Sequence, residues 1–425
     1  MDPIRKWSPP VFQLGTNPKT RVLGSNITTT SGISASSSAF TAANGSTSAN
    51  GGTGTYTFTL TPTIQYIRID SVTGIVTVDT GLLPGTYNET VVATDSLGQT
   101  GTKTLVILAN QFVSVGAGSN ITTTHGIARS STAFTKSLGT GTLTFTVTDT
   151  ATGYLSITSA GVVTVDSSTP AGTYYETVTA TDSVGAIGTK AFTVYVNADV
   201  TISGGSNILT TVGRADSSTA FVGNAGTPGY TFSISPNYSS QGITINSTTG
   251  VVSVSAGATP GFYTETVTVT DSVSAVARTT MTVRVNVGVT VSGGSSITTT
   301  SGIMRSSTAF AASGGTTAAT NGSGAFTYSL TPTISGITID SATGIVTVDS
   351  SVVAGTYQDS VVATDSLGLK GYSNVTIYVN AFVAVSAGSN ITTTHGVARS
   401  STAFASANGT GTRTFSISPT VSGIT

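Results

Sequence analysis

Gly172-Thr173-Tyr174-Tyr175-Glu176-Thr177-Val178-Thr179-Ala180-Thr181-Asp182-Ser183 decides the fold, because near-copies of it stand at 85–96, 261–272 and 355–366. Its period of two places Tyr174, Glu176, Val178, Ala180 and Asp182 on one face and the threonines on the other, which predicts a half-buried antiparallel strand. The tyrosine and aspartate keep their spacing in every copy: Tyr87 and Asp95, Tyr174 and Asp182, Tyr263 and Asp271, Tyr357 and Asp365.

Working outward, the phrase Gly-Ser-Asn-Ile-Thr-Thr-Thr begins at Gly24 and returns, lightly varied, at Gly118, Gly205, Gly294 and Gly388. The resulting spacings of 94, 87, 89 and 94 residues exceed the periods of solenoid repeats and suit one small β-sandwich each. Within a repeat, a Ser-Ser-Thr-Ala-Phe segment follows, carrying Phe40, Phe134, Phe221, Phe310 or Phe404. A Gly- and Asn-rich loop absorbs the differences in length. An alternating strand with Phe58, Phe145, Phe232, Tyr328 or Phe415 comes next, and then a hairpin such as residues 336–349, where Gly344 supplies the positive φ. About seven strands per repeat result, so the chain is expected to be all-β, a tandem array of sandwiches. The expected divisions are an N-terminal arm at 1–21 with Trp7, sandwiches at 22–113, 114–200, 201–289 and 290–383, and a truncated fifth at 384–425. Val196-Asn197 leads into the next strand without a flexible linker. Four such domains in line would make a rod longer than roughly 120 Å. The fifth segment stops before its hairpin and Tyr/Asp strand. It is expected to fray if the array is cut there, or to be completed by another chain's strand.

Composition limits the partners. Charged residues are 8% and the net charge is -1, so no basic field attracts nucleic acid or an anionic membrane. Hydroxyls must hydrate the surface instead. No cysteine is present, which removes disulfides and thiolate chemistry. No run of 18 apolar residues offers a spanning helix, and the first 15 residues lack the apolar segment of a secretory signal.

Ile339-Asp340-Ser341-Ala342-Thr343-Gly344, Ala354-Gly355-Thr356-Tyr357 and Ala363-Thr364-Asp365-Ser366 resemble the immunoglobulin-like and cadherin-like, dystroglycan-type repeats of bacterial surface and phage structural proteins. The resemblance covers about residues 22–425 and implies spacers, stalks, lattice or adhesive modules. The chain departs from that pattern by placing Glu89, Glu176, Glu265 or Asp359 where the family carries an apolar residue. It also lacks most of the paired acidic motifs of calcium-binding cadherins.

No catalytic, cofactor-binding or metal-ligating set stands out. His125 and His395 occupy a position held by Ser31 and Ser301 in other repeats, which predicts exposed turns rather than a catalytic base. Calcium is the sharper alternative, drawing on the Glu of the Tyr strand, the closing Asp, and hairpin residues such as Asp70 and Asp79, but it wants six to eight oxygens and these are dispersed. The plainer expectation is that Asp95 and its equivalents accept backbone amides of the next turn, while Glu89 and its equivalents sit partly in water near a strand end. Asn26, Asn88, Asn120 and Asn390 open Asn-x-Ser/Thr triplets that could accept glycans. The leading functional expectation is a non-enzymatic structural or adhesive protein at the cell surface, binding protein or glycan ligands or self-associating into a filament or lattice. A virion fibre, tail or decoration protein is the alternative. An enzyme with carbohydrate-binding accessory domains comes third and would need a catalytic domain outside this sequence.

Overall fold

A computed structural model describes residues 20–43, 55–150, 152–316 and 326–425. Most of the expected N-terminal arm, with Trp7, and the Gly- and Asn-rich loops at 44–54 and 317–325 lie outside the described residues.

In the first repeat nine segments pair: β1 (Arg21–Leu23), β2 (Ile27–Thr30), β3 (Ala35–Ser36), β4 (Thr41–Ala43), β5 (Thr57–Thr61), β6 (Ile67–Ile69), β7 (Val76–Val78), β8 (Gly85–Thr94) and β9 (Thr100–Asn110). They form a four-stranded sheet in the order β2-β9-β8-β5, a three-stranded sheet β3-β7-β6 and a ribbon β1-β4. Nine segments stand where about seven strands were expected because the chain between Ala35 and Ala43 changes sheet, with β3 on β7 and β4 on β1. The same three sheets recur in the next three repeats. The all-β class and the β-sandwich architecture follow directly from this recurrence. By contact, the chain divides into two compact units. One runs to Val200 and includes Ala225–Pro228 and Ser272–Ala275. The other takes Thr201–Asn224, Gly229–Asp271 and the chain from Val276 onward.

Alternation explains the core. In Gly172–Thr181, Val178 and Ala180 are fully buried while Tyr175 is exposed, and the partner strand Ile187–Asn197 contributes Phe192, Val194 and Val196. Phe134 and Phe192 meet edge to face with ring centroids 5.2 Å apart. Each such side chain contributes about 1.5–3 kcal/mol by leaving water. The hairpin expected at 336–349 is present, with Ile337 opposite Val348 and Ile339 opposite Val346.

The opening phrase has two packing roles. A Cβ on Gly118 would come within 2.4 Å of the Phe134 ring, and one on Gly205 within 2.0 Å of Phe221, so only glycine lets the ring lie on the backbone. The Ile-Thr-Thr-Thr strand runs parallel to the last strand of its repeat, Ile27 opposite Ile107 and Thr30 opposite Asn110. Asn26, Asn120 and Asn207 extend that ladder: their Oδ1 atoms accept the backbone N–H of Val106, Thr193 and Thr282 at 3.0, 2.9 and 2.8 Å. Two of the glycosylation candidates, Asn26 and Asn120, thus have a structural use.

In 384–425 the only strand pairing among the described residues joins Ala384–Val385 to Ser406–Ala407. Phe404 is 50% exposed and Phe415 57%, whereas Phe134 is 2% exposed.

Candidate functional site

Two constellations of polar side chains recur with the repeats. The first lies where one repeat meets the next. Asp182 closes the Tyr strand of the second repeat, and its Oδ1 accepts the amides of Val184 and Ala186 at 3.0 and 2.8 Å. This is the turn role expected for it. Its Oδ2 accepts the Thr140 amide at 2.8 Å and the hydroxyl of Thr30, at the end of β2 in the first repeat. Thr30 and Thr140 hydroxyls lie 2.8 Å apart, and Asn110 Nδ2 donates to Thr140 Oγ1 at 2.9 Å. The other compact unit repeats the arrangement: Thr211 and the Thr316 amide donate to Asp365 Oδ2 at 3.1 and 2.9 Å, and Asn286 Nδ2 donates to Thr316 Oγ1 at 2.8 Å. Burial works against the charge on Asp182, yet donors from Thr30, Thr140, Ala186 and Val184 outweigh it and hold the carboxyl below its ordinary range.

The second constellation corrects the sequence reading. Glu89, Glu176, Glu265 and Asp359 are not partly in water: they are 1%, 1%, 0% and 3% exposed. Each sits on the inward face of its Tyr strand, directly opposite Leu105, Phe192, Met281 or Val375, so the strand carries it into the sandwich. Glu176 alone is well served. Thr148 Oγ1 donates to Oε2 at 2.7 Å, and the Thr150 amide, at 3.0 Å, and hydroxyl donate to Oε1. Among the described residues neither carboxylate oxygen of Glu89 or Glu265, in the first and third repeats, has a partner, and in the fourth Asp359 Oδ2 has none. The loops differ accordingly: Thr148-Asp149-Thr150 is replaced by Thr61-Pro62-Thr63, Ser235-Pro236-Asn237 and Thr331-Pro332-Thr333. Asn237 uses its Oδ1 on the Ser239 amide. Burial without donors pushes the Glu265 carboxyl up to about 7 and raises Glu89 as well. Burial also raises Asp359, against hydrogen bonds from the Ser360 and Thr331 amides.

The tyrosine of the same strand makes a corner. Tyr87, Tyr174, Tyr263 and Tyr357 donate their hydroxyls to the carbonyls of Leu83, Pro170, Thr259 and Val353 at 2.8–2.9 Å. The Tyr174 ring is half-buried and packs on the core. His125 and His395 are exposed. His125 Nδ1 stands 2.7 Å from Asp199 Oδ1, a surface pair with no nucleophile among its partners.

The residues considered for calcium do not converge. Asp70 accepts the amides of Val72 and Thr73, Asp79 pairs with Arg68, and among the described residues no group of three or more His, Cys, Asp or Glu gathers. At the junction Asp182 spends both oxygens on N–H and O–H donors, a set suited to an anion and not to a hard cation that needs six to eight oxygen ligands. No helix among the described residues is long and apolar enough to cross a membrane.

Sheets and junctions together define a tandem β-sandwich repeat protein. No protein-family model and no curated protein matches the chain. Among solved structures it is similar to extracellular cadherin domains 3–6 of protocadherin gamma B2, at 13% identity over 84% of this chain and 99% of that one, with a TM-score of 0.27. It is also similar to the human desmocollin-1 ectodomain, at 14% identity over 89% and 81%, TM-score 0.27. For immunoglobulin domains 1–5 of sidekick-1 the values are 12% identity over 85% and 81%, TM-score 0.31. At these scores the fold rests on the sheets themselves.

Proposed function

We propose that the chain is a non-enzymatic structural or adhesive protein of an extracellular surface, in which sandwiches at 22–113, 114–200, 201–289 and 290–383 act as serial spacers and binding modules. The observation that carries this reading is the junction clamp: Thr30, Thr140, Asp182 and Asn110 tie a repeat to its neighbour through hydroxyls, two amides and one carboxylate, with no metal required. A spacer of this design stays set when divalent ions vary. Repetition would then convert weak contacts with protein or glycan ligands into avidity.

The test is a chain carrying one fluorophore in the first repeat and one in the second. The distance between them should stay narrow with and without a chelator and broaden in Asp182→Ala. Broadening on chelation of the unmutated chain would overturn the metal-free clamp, and hydrolytic turnover of glycan or peptide substrates by the purified chain would overturn the non-enzymatic assignment.

A further inference from the structure

The buried carboxyl on each Tyr strand has no part in the junction or in the core's apolar packing. Glu265 shows the problem most fully: it is 0% exposed and both oxygens lack a donor. Among the described residues, the strands packed on its own strand bring no compensating charge to it. The strands packed on Gly261–Thr270 are Val276–Asn286, Thr231–Ser235, Thr201–Gly204 and Phe221–Asn224. Of these only Val276–Asn286 carries ionic residues, Arg278 and Arg284, and both are exposed, on the face opposite that of Met281, which stands across from Glu265. On the inward face of its own strand lie Tyr263, whose hydroxyl is bonded to Thr259, and Asp271. Tyr238, in the adjoining loop, meets the Tyr263 ring edge to face at 4.9 Å. A carboxylate there would be an isolated buried charge, which proteins avoid by keeping the neutral acid or by opening.

We propose that the third repeat is a pH-set element: it is closed with Glu265 as a neutral acid, and loss of that proton opens the end of its Gly261–Thr270 strand, while the second repeat, whose Glu176 is held by Thr148 and Thr150, does not respond. Glu89 places the first repeat in the same class. The sign is fixed by linkage. A folded state that binds the proton more tightly than the unfolded chain has its full stability below the unfolded value and loses it as pH rises through the folded one. The window therefore runs from about pH 4.5 to somewhat above 7.

Hydrogen exchange on the full chain tests this, with rates corrected to protection factors. Between pH 5 and pH 8 the amides of 262–268 should lose protection by roughly 70-fold, the change that a carboxyl moved from 4.5 to about 7 imposes. Those of 174–180 should hold theirs. Glu265→Gln, which keeps the shape of the neutral acid, and Glu265→Leu should each abolish the loss. Equal protection of 262–268 at both pH values in the unmutated chain, or pH dependence that survives in both variants, would overturn the proposal. An NMR titration of the unmutated chain guards against variants that do not fold: a Glu265 carboxyl ionising in the ordinary range would also overturn it.

Discussion

The second and third repeats share sheets, register and a glutamate at the same strand position, yet one glutamate has three donors and the other none. The difference comes from a loop distant in sequence. Thr148 and Thr150 follow the edge strand of the second repeat, and the third offers Ser235, Pro236 and an Asn237 turned to its own loop. A buried carboxyl is therefore not one kind of feature. With donors it is a structural tie, and without them it is a proton-binding group.

The sharpest way to break the contrast is to strip the donors from the second repeat. Thr148→Val with Thr150→Val should cost about 3–5 kcal/mol at pH 8, the penalty of unpairing a buried charge. Urea unfolding followed by exchange in 172–181 would show it. The converse change, Glu265→Met, should stabilise the third repeat by about 1–3 kcal/mol at pH 8, because an unsatisfied buried group is removed; an unchanged or lower urea midpoint would count against the bare-carboxyl reading. Asp182→Asn should cost about 1–3 kcal/mol near neutrality. Its pH dependence is opposite to that of Glu265. A carboxyl held low contributes above its unfolded value and loses that contribution as pH falls through the folded one, so mutant and unmutated chains should converge in strong acid. The smallest effect belongs to Tyr174→Phe and Tyr263→Phe, about 0.5–1.5 kcal/mol each for one hydrogen bond. It should be equal in both repeats, since the corner is the same in both.

Much of this was legible beforehand because a period of two states which face is buried: Val178 and Ala180 are inside and the threonines beside them are not. The hairpin at 336–349 is legible through Gly344, whose positive φ belongs to a turn. Alternation puts the carboxyls on the correct face, but their polarity alone reads as partial exposure to water. Only the depth of the sandwich at that point, and a loop about 28 residues earlier in the case of Glu176, settle their state. The second oxygen of Asp182 was hidden for a similar reason, since its partner Thr30 lies 152 residues away. Asn120 reads in the sequence as a candidate glycosylation triplet, and its bond to the Thr193 amide depends on a parallel pairing that alternation alone cannot reveal.

That parallel pairing has a mechanical consequence. Ile27–Thr30 lies beside Ile107–Asn110 with both strands running the same way, so the start of the first and the end of the second point toward opposite ends of the repeat. Tension applied through the chain slides these strands lengthwise past each other. The hydrogen bonds between them carry the load together and do not open one at a time as in an unzipped hairpin. Every complete repeat has this arrangement, so a force along the array meets the same shear lock four times in succession.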